Sequence, residues 1–237
     1  MQTLPLLALP GLLCDERLWR QQSEALGRDR PLTSFPLTPE ASMAELAVAA
    51  LARAPAGRFA LAGLSMGGYL AFEIVRRAPE RVAALALLDT SARPDTPEAQ
   101  DARRSAIAQS ATDFDAVVDA LLPRLVHPSR LADESVVATV RAMAARIGRA
   151  DYVRQQEAIM GRADSRPTLA QIRCPTLVLC GREDALTPLA LHEEMHAGIA
   201  AAELVVIERC GHLSTIERPD EVTAALRRWL AAAEGAR

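Results

Sequence analysis

Gly63-Leu64-Ser65-Met66-Gly67-Gly68 decides how the rest of the chain is read. It follows the apolar run Phe59 to Ala62 and precedes a helical pattern from Tyr69 to Arg77. Strand, sharp turn and helix in that order form the setting of a G-x-S-x-G nucleophile elbow, which holds a serine at its apex in a strained backbone conformation. Gly63 and Gly67 supply the room, because a Cβ at either position would collide with the adjacent strand or helix. The turn directs the Ser65 hydroxyl out of the carboxyl edge of a sheet. The backbone N–H of Met66 and the start of the helix face the same spot, where negative charge is welcome.

Outward from this turn, short and almost continuous apolar runs recur at Leu4–Leu9, Val82–Leu88, Thr176–Cys180 and Glu203–Ile207. Such runs are expected of strands buried on both faces. Leu32–Leu37, inside a proline-broken stretch, is a further short candidate. Helical patterns cover Glu16–Leu26, Met43–Arg53, Pro188–Ile199 and Glu221–Ala233. Ser42 and Glu45 make a capping box for the second, and Val222, Leu226, Trp229 and Leu230 give the last an apolar face. This alternation predicts an α/β fold with a doubly wound, mostly parallel sheet.

From about Arg93 to Thr168 the pattern changes. Helical stretches near Thr96–Ser110, Asp113–Val126, Asp133–Arg146 and Asp151–Met160 are broken at Pro123, Pro128 and Gly148, with no strand among them. One crossover needs far fewer residues. The expected organisation is a core of residues 1–92 and 169–237 with a helical lid insertion, 93–168, over the open edge of the elbow.

The chain has 237 residues, half of them hydrophobic, which suits one sizeable core. Its net charge of −3 gives no basic footprint for nucleic acid. Four cysteines, Cys14, Cys174, Cys180 and Cys210, lack C-x-x-C spacing and read as free thiols in a reducing compartment. Met1 to Leu13 is apolar but has no positively charged start and no small-residue cleavage site, and no apolar run reaches transmembrane length. The expectation is a soluble cytoplasmic protein without a membrane partner.

A serine hydroxyl needs a base, and the base an orienting acid. His212 lies in Cys210-Gly211-His212 after the run Glu203–Ile207, and Asp184 in Gly181-Arg182-Glu183-Asp184 after the run Thr176–Cys180. Loops from successive strands can bring both to Ser65, and the chain order Ser65, Asp184, His212 suits the elbow. Glu183 and Asp89 are rival acids; for Asp89 the better role is closing its turn through Thr90. The second oxyanion N–H, beside that of Met66, is expected from Leu12 after Pro10-Gly11. His192-Glu193-Glu194-Met195-His196 matches H-E-x-x-H, a zinc pattern, with Glu217 as a conceivable third ligand. It falls on an outer helix, and neither metal nor cofactor is expected. Arg124, Arg141, Arg146, Arg149 and Arg154 are candidates for holding a carboxylate or an acyl-carrier surface, and Gln155 and Gln156 for lining the site.

On Gly63–Gly68, Arg77–Val82, Pro175–Asp184 and Gly211–Pro219, the chain resembles the α/β-hydrolase superfamily over nearly its whole length. Within it, the chain is similar to small esterases of the pimeloyl-ACP methyl ester esterase type and to 3-oxoadipate enol-lactonases. The resemblance implies a Ser65–His212–Asp184 triad, an acyl-enzyme and a small-molecule ester, thioester or lactone substrate. C–C bond hydrolysis, perhydrolysis, a hydrolase-fold receptor role and a homodimer stay open. A serine at the elbow sets the chain apart from haloalkane dehalogenases and epoxide hydrolases, which carry Asp there. Two departures stand out. Pro10-Gly11 replaces the usual His-Gly, and the parallel sheet starts almost at Met1, so about six strands and no N-terminal hairpin are expected.

Overall fold

The apolar runs become six strands in one all-parallel sheet. The computed structural model describes residues 3–235. The strands are β1 (Leu6–Leu9), β2 (Leu32–Thr33), β3 (Phe59–Leu64), β4 (Val82–Leu88), β5 (Thr176–Gly181) and β6 (Ala202–Ile207), in the order β2-β1-β3-β4-β5-β6. Every residue of β1, β3, β4 and β5 is buried. No antiparallel hairpin precedes β1 among the described residues. The Leu32–Leu37 expectation shrinks to two residues at the sheet edge, where Pro36 and Pro39 allow no further ladder.

The two faces of the sheet are built differently. Ala8 sits beside Ala62, and Ala62 beside Ala86, so a row of alanines crosses three central strands on one face. Those small side chains leave depth for Trp19, Leu226 and Trp229, which pack against them. The opposite face presents Leu7, Leu9, Leu61, Leu85 and Leu87 to Leu70, Phe72 and Ile74. Helices α1 (Arg20–Leu26), the single-turn α9 (Ser214–Glu217) and α10 (Pro219–Gly235) belong to the first layer; α2 (Met43–Arg53), α3 (Met66–Arg77) and α8 (Leu189–Gly198) belong to the second. A single-turn 3₁₀ helix, Glu16–Trp19, capped by Asp15, occupies the first part of the helix expected from Glu16.

β1 connects to β2 on one side, and the chain then returns to lay β3 on the other. This reversal opens a crevice at the carboxyl ends of β1 and β3, where open α/β sheets receive ligands. Between β4 and β5 the chain forms α4 (Pro97–Ser110), α5 (Phe114–Leu125), α6 (Glu134–Met160) and the short α7 (Arg166–Leu169). Gly148 separates two helical stretches as expected: its φ of 71° and ψ of 167° are non-helical and kink α6 there. Val117, Val118, Ala144, Ile147 and Tyr152 of these helices pack on Leu12 and Leu13, just past β1. Among the described residues no helix is long and apolar enough to cross a membrane.

Candidate active site

Backbone strain marks the carboxyl rim of the sheet. Among the described residues, the non-glycine positions with positive φ are Leu13 (59°), Ser65 (55°), Asp89 (44°) and Arg209 (53°). They follow β1, β3, β4 and β6 respectively. Each such residue costs about 1–2 kcal/mol and persists only where its surroundings over-determine it.

Ser65 stands alone between β3 and α3, with φ 55° and ψ −116°. Its N–H donates to the Leu88 carbonyl (3.0 Å), and its own carbonyl accepts from Gly68 N (2.9 Å) and Thr90 Oγ1 (2.8 Å). A Cβ on Gly63 would overlap the Gly67 carbonyl, and one on Gly67 would overlap the Leu9 carbonyl. The turn is therefore possible only with glycine at both positions. Helix α3 starts at Met66, three residues before the expected Tyr69, and takes both Gly67 and Gly68 into its first turn.

The loop after β1 runs beside the serine. A Cβ at Gly11 would lie 3.3 Å from Ser65 Cβ. Leu12 follows on that loop, and Met66 follows Ser65. Neither backbone N–H has a hydrogen-bond acceptor among the described residues. Two uncommitted amides thus belong to the two segments that meet at Ser65. Pro10 in place of histidine leaves this backbone arrangement intact.

Asp184 and His212 meet across the ends of β5 and β6. His212 Nδ1 is 2.8 Å from Asp184 Oδ2, and both residues are buried. Asp184 Oδ1 accepts from Leu186 N (2.8 Å) and Thr187 N (2.9 Å), and Oδ2 accepts from Thr187 Oγ1 (2.5 Å). Burial works against the Asp184 charge, but His212 and the Thr187 donors outweigh it and lower its pKa. Burial alone would lower the His212 pKa as well, yet the Asp184 carboxylate raises it above the ordinary 6.5. The ionised acid makes Nδ1 the donor nitrogen, and Nε2 carries no bond. The structure does not join Ser65 Oγ and His212 in a hydrogen bond. Contacts of this kind commonly tighten only when substrate binds.

What ties the two halves together is the Asp89–Thr90 step after β4. Thr90 Oγ1 holds the Ser65 carbonyl, while Asp89 accepts from Ser214 Oγ (2.5 Å), two residues past His212, and from Gly181 N (3.0 Å) at the end of β5. Asp89 thus does more than close its own turn, and it makes no hydrogen bond to His212. Burial, and then the nearby Asp184 charge, raise its pKa well above the usual carboxylate value. Glu183 accepts from Cys210 N (3.0 Å) and likewise stays off the imidazole.

The H-E-x-x-H pattern comes apart in space. His192 is buried and its Nε2 accepts from Thr90 N (3.0 Å), whereas His196 is exposed. Burial lowers the His192 pKa to about 4, so it is a neutral brace behind the elbow. Glu217 has both carboxylate oxygens occupied: Oε1 by Gly211 N and Leu213 N, and Oε2 by His127 N (2.7 Å). It fixes the turn that carries His212, a role for which the buried acid inside the Gly211–Pro219 run was the available signal. Arg141, Arg146 and Arg154 pair with Asp119, Asp15 and Glu16, and Asp151 respectively, while Arg124 and Arg149 are exposed.

A family model described as the alpha/beta hydrolase fold matches residues 9–219. A pimeloyl-[acyl-carrier protein] methyl ester esterase from Neisseria meningitidis is 28% identical over 188 residues, which cover 76% of this chain and 59% of that protein. The chain therefore spans less than two thirds of that relative. Among solved structures, a thermophilic esterase from Thermogutta terrifontis superposes with a TM-score of 0.88 and 33% identity over 97% of this chain and 90% of its own. The enol-lactonase from Burkholderia xenovorans LB400 does so with a TM-score of 0.85 and 28% identity, over 97% and 92%.

Proposed function

Since the chain belongs to the α/β-hydrolase fold family, and is an enzyme of the hydrolase class by that membership and by its esterase relatives, we propose that it is a serine hydrolase of small carboxylic esters. Ser65 Oγ attacks the acyl carbon while His212 Nε2 takes its proton, and Asp184 holds the imidazole in the required tautomer. The carbonyl oxygen gains negative charge and is met by the Leu12 and Met66 amides. Collapse expels the alcohol, which receives the proton from His212, and leaves an acyl-Ser65 ester. Water, deprotonated by His212, then attacks that ester; the acid departs and Ser65 Oγ regains its proton. A lactone passes through the same steps with its alcohol still attached to the acyl group, and the enol-lactonase likeness supports this extension. Helices α4, α5 and α6 serve as the lid that shapes the acyl pocket.

The observation that carries this reading is the buried 2.8 Å Asp184–His212 pair with Nε2 left unbonded, on the same rim as the strained Ser65. The test is turnover of short-chain p-nitrophenyl esters by wild type and Ser65→Ala. A loss of roughly 10³-fold or more is expected, together with fluorophosphonate labelling that maps to the Ser65 peptide. Undiminished turnover in the variant would overturn it.

A further inference from the structure

The amide of Gln155 is used at both ends. From α6 it reaches the loop after β1: Oε1 accepts from Leu13 N at 2.9 Å, and Nε2 donates to the Leu37 carbonyl at 3.1 Å. The side chain is wholly buried, so it lines no solvent-open pocket. Gln156, its neighbour, is equally committed, accepting from Arg103 Nη1 and donating to Tyr152 Oη. Both were candidates for lining the site; both instead hold structure in place.

The segment Gln155 holds is the one beside Ser65. Cys14 N bonds the Gly11 carbonyl at 3.2 Å, closing a four-residue turn with Leu12 and Leu13 at its centre. Leu13 occupies the position where such a turn takes φ of 59°, a position that glycine or asparagine normally fills. A leucine there relaxes toward negative φ by flipping the Leu12–Leu13 peptide. The Leu13 N–H belongs to that peptide, and Gln155 Oε1 fixes its direction. The neighbouring Gly11–Leu12 peptide carries the free Leu12 N–H, so the orientation of one constrains the other.

We infer that Gln155 is a positioning residue for the oxyanion site: by clamping the Leu13 amide it keeps the strained turn in the form that aims the Leu12 N–H at the Ser65 tetrahedral intermediate. The inference rests on the serine-hydrolase reading above. It assigns to a helix of the 93–168 segment a part in transition-state stabilisation, without contact to substrate.

The test compares wild type, Gln155→Leu and Gln155→Glu on a short-chain p-nitrophenyl ester. A trifluoromethyl ketone, whose hydrate-like adduct with serine bears the oxyanion, serves as a second readout. Removing the acceptor in Gln155→Leu is expected to lower kcat at least tenfold with KM within threefold. Its ketone Ki should rise in step with the loss in kcat/KM. Gln155→Glu keeps an acceptor for Leu13 N–H and, when protonated, a donor for Leu37, so its kcat relative to wild type at the same pH should exceed that of Gln155→Leu and should rise as pH is lowered. An unchanged kcat in Gln155→Leu, a loss confined to KM, or a ketone Ki that does not follow kcat/KM would each overturn the inference. If Gln155→Leu does not fold, the Gln155→Glu pH dependence and its ketone Ki decide alone; a kcat loss with no recovery, or an unmoved Ki, is then the overturning result. Failure of the parent reading looks different: wild type and Ser65→Ala would turn over ester alike, whatever Gln155 does.

Discussion

The carboxyl rim of the sheet and the helical segment 93–168 face each other across the site and are made in opposite ways. The rim is strained backbone: Leu13, Ser65, Asp89 and Arg209 all take positive φ within a few residues of a strand end. It is fixed by buried donors and acceptors from neighbouring strand ends. The helical segment is mostly regular backbone with many exposed side chains, and a few of its polar groups reach the rim. Leu125 offers its carbonyl to His212 N and Leu213 N, His127 N meets Glu217, and Gln155 meets Leu13. On the proposed mechanism the reacting groups come from the rim, and the helices hold two of the loops that carry them. A fold organised this way can change its helices to suit a substrate only where these clamps survive.

The largest expected effect breaks the rim at its acid. Asp184→Asn removes the charge that holds His212 above its ordinary pKa and offers an amide that favours the wrong imidazole tautomer. A fall in kcat of roughly 10³–10⁴-fold is expected. On the proposed mechanism, His212 in wild type must be neutral to accept the Ser65 proton. Since its pKa is raised above 6.5, kcat/KM should be lost as pH falls through a value above 6.5. In Asp184→Asn burial then dominates and the residual activity should lose this limb toward lower pH. A pH profile that does not move, or a loss under tenfold, would return the orienting role to Asp89.

The next effect is on stability rather than rate, and it separates the rim's two buried aspartates. Asp89→Ala leaves Gly181 N and the Ser214 hydroxyl without partners in a dry site, which costs about 2–4 kcal/mol. Asp89→Asn presents an acceptor to Gly181 N and a donor to Ser214 Oγ, much as the protonated acid does. Because burial and the Asp184 charge disfavour the Asp89 carboxylate, giving up its charge should cost little, and this variant should stay within about 1 kcal/mol of wild type. Urea unfolding of the pair checks this. Equal destabilisation of both would mean that Asp89 works as a charge, making the rim electrostatically braced rather than hydrogen-bonded.

The same division explains what the sequence makes legible. Strands β3 and β4 and the elbow are legible from local pattern: apolar runs, the first followed by closely spaced glycines, of which Gly63 is required by Gly67, four positions on, although Gly67 answers to Leu9 across the sheet. Asp184 and His212 are readable because each follows a strand by a few residues, and strand order puts those ends side by side. Edges are less legible. β2 is two residues long because prolines and the sheet edge limit it, not because Leu32–Leu37 lacks apolar character. Gly148 signals a break, and the break is there: its non-helical backbone divides α6 into two stretches. The clamps are not readable at all. Gln155 and Leu13 lie 142 positions apart, and nothing near either residue marks it as the other's partner. Asp89 looks like a turn residue until Ser214, 125 positions on, arrives beside it.

The smallest expected effect tests whether the exposed side of the helical segment takes any part. Arg141 pairs with Asp119 at 3.0 Å, but both side chains are more than half exposed, and water and salt screen such a pair. Arg141→Ala should therefore leave kcat and KM for neutral and anionic esters within a factor of two and move the melting midpoint by less than about 2 °C. Gln155→Leu, on the inner side of the same segment, should do the reverse, costing rate through a residue that solvent never reaches. A selective rise in KM for anionic esters in Arg141→Ala would place substrate on the outer helix surface. It would also undo the contrast between a reacting rim and helices that act on it only through buried clamps.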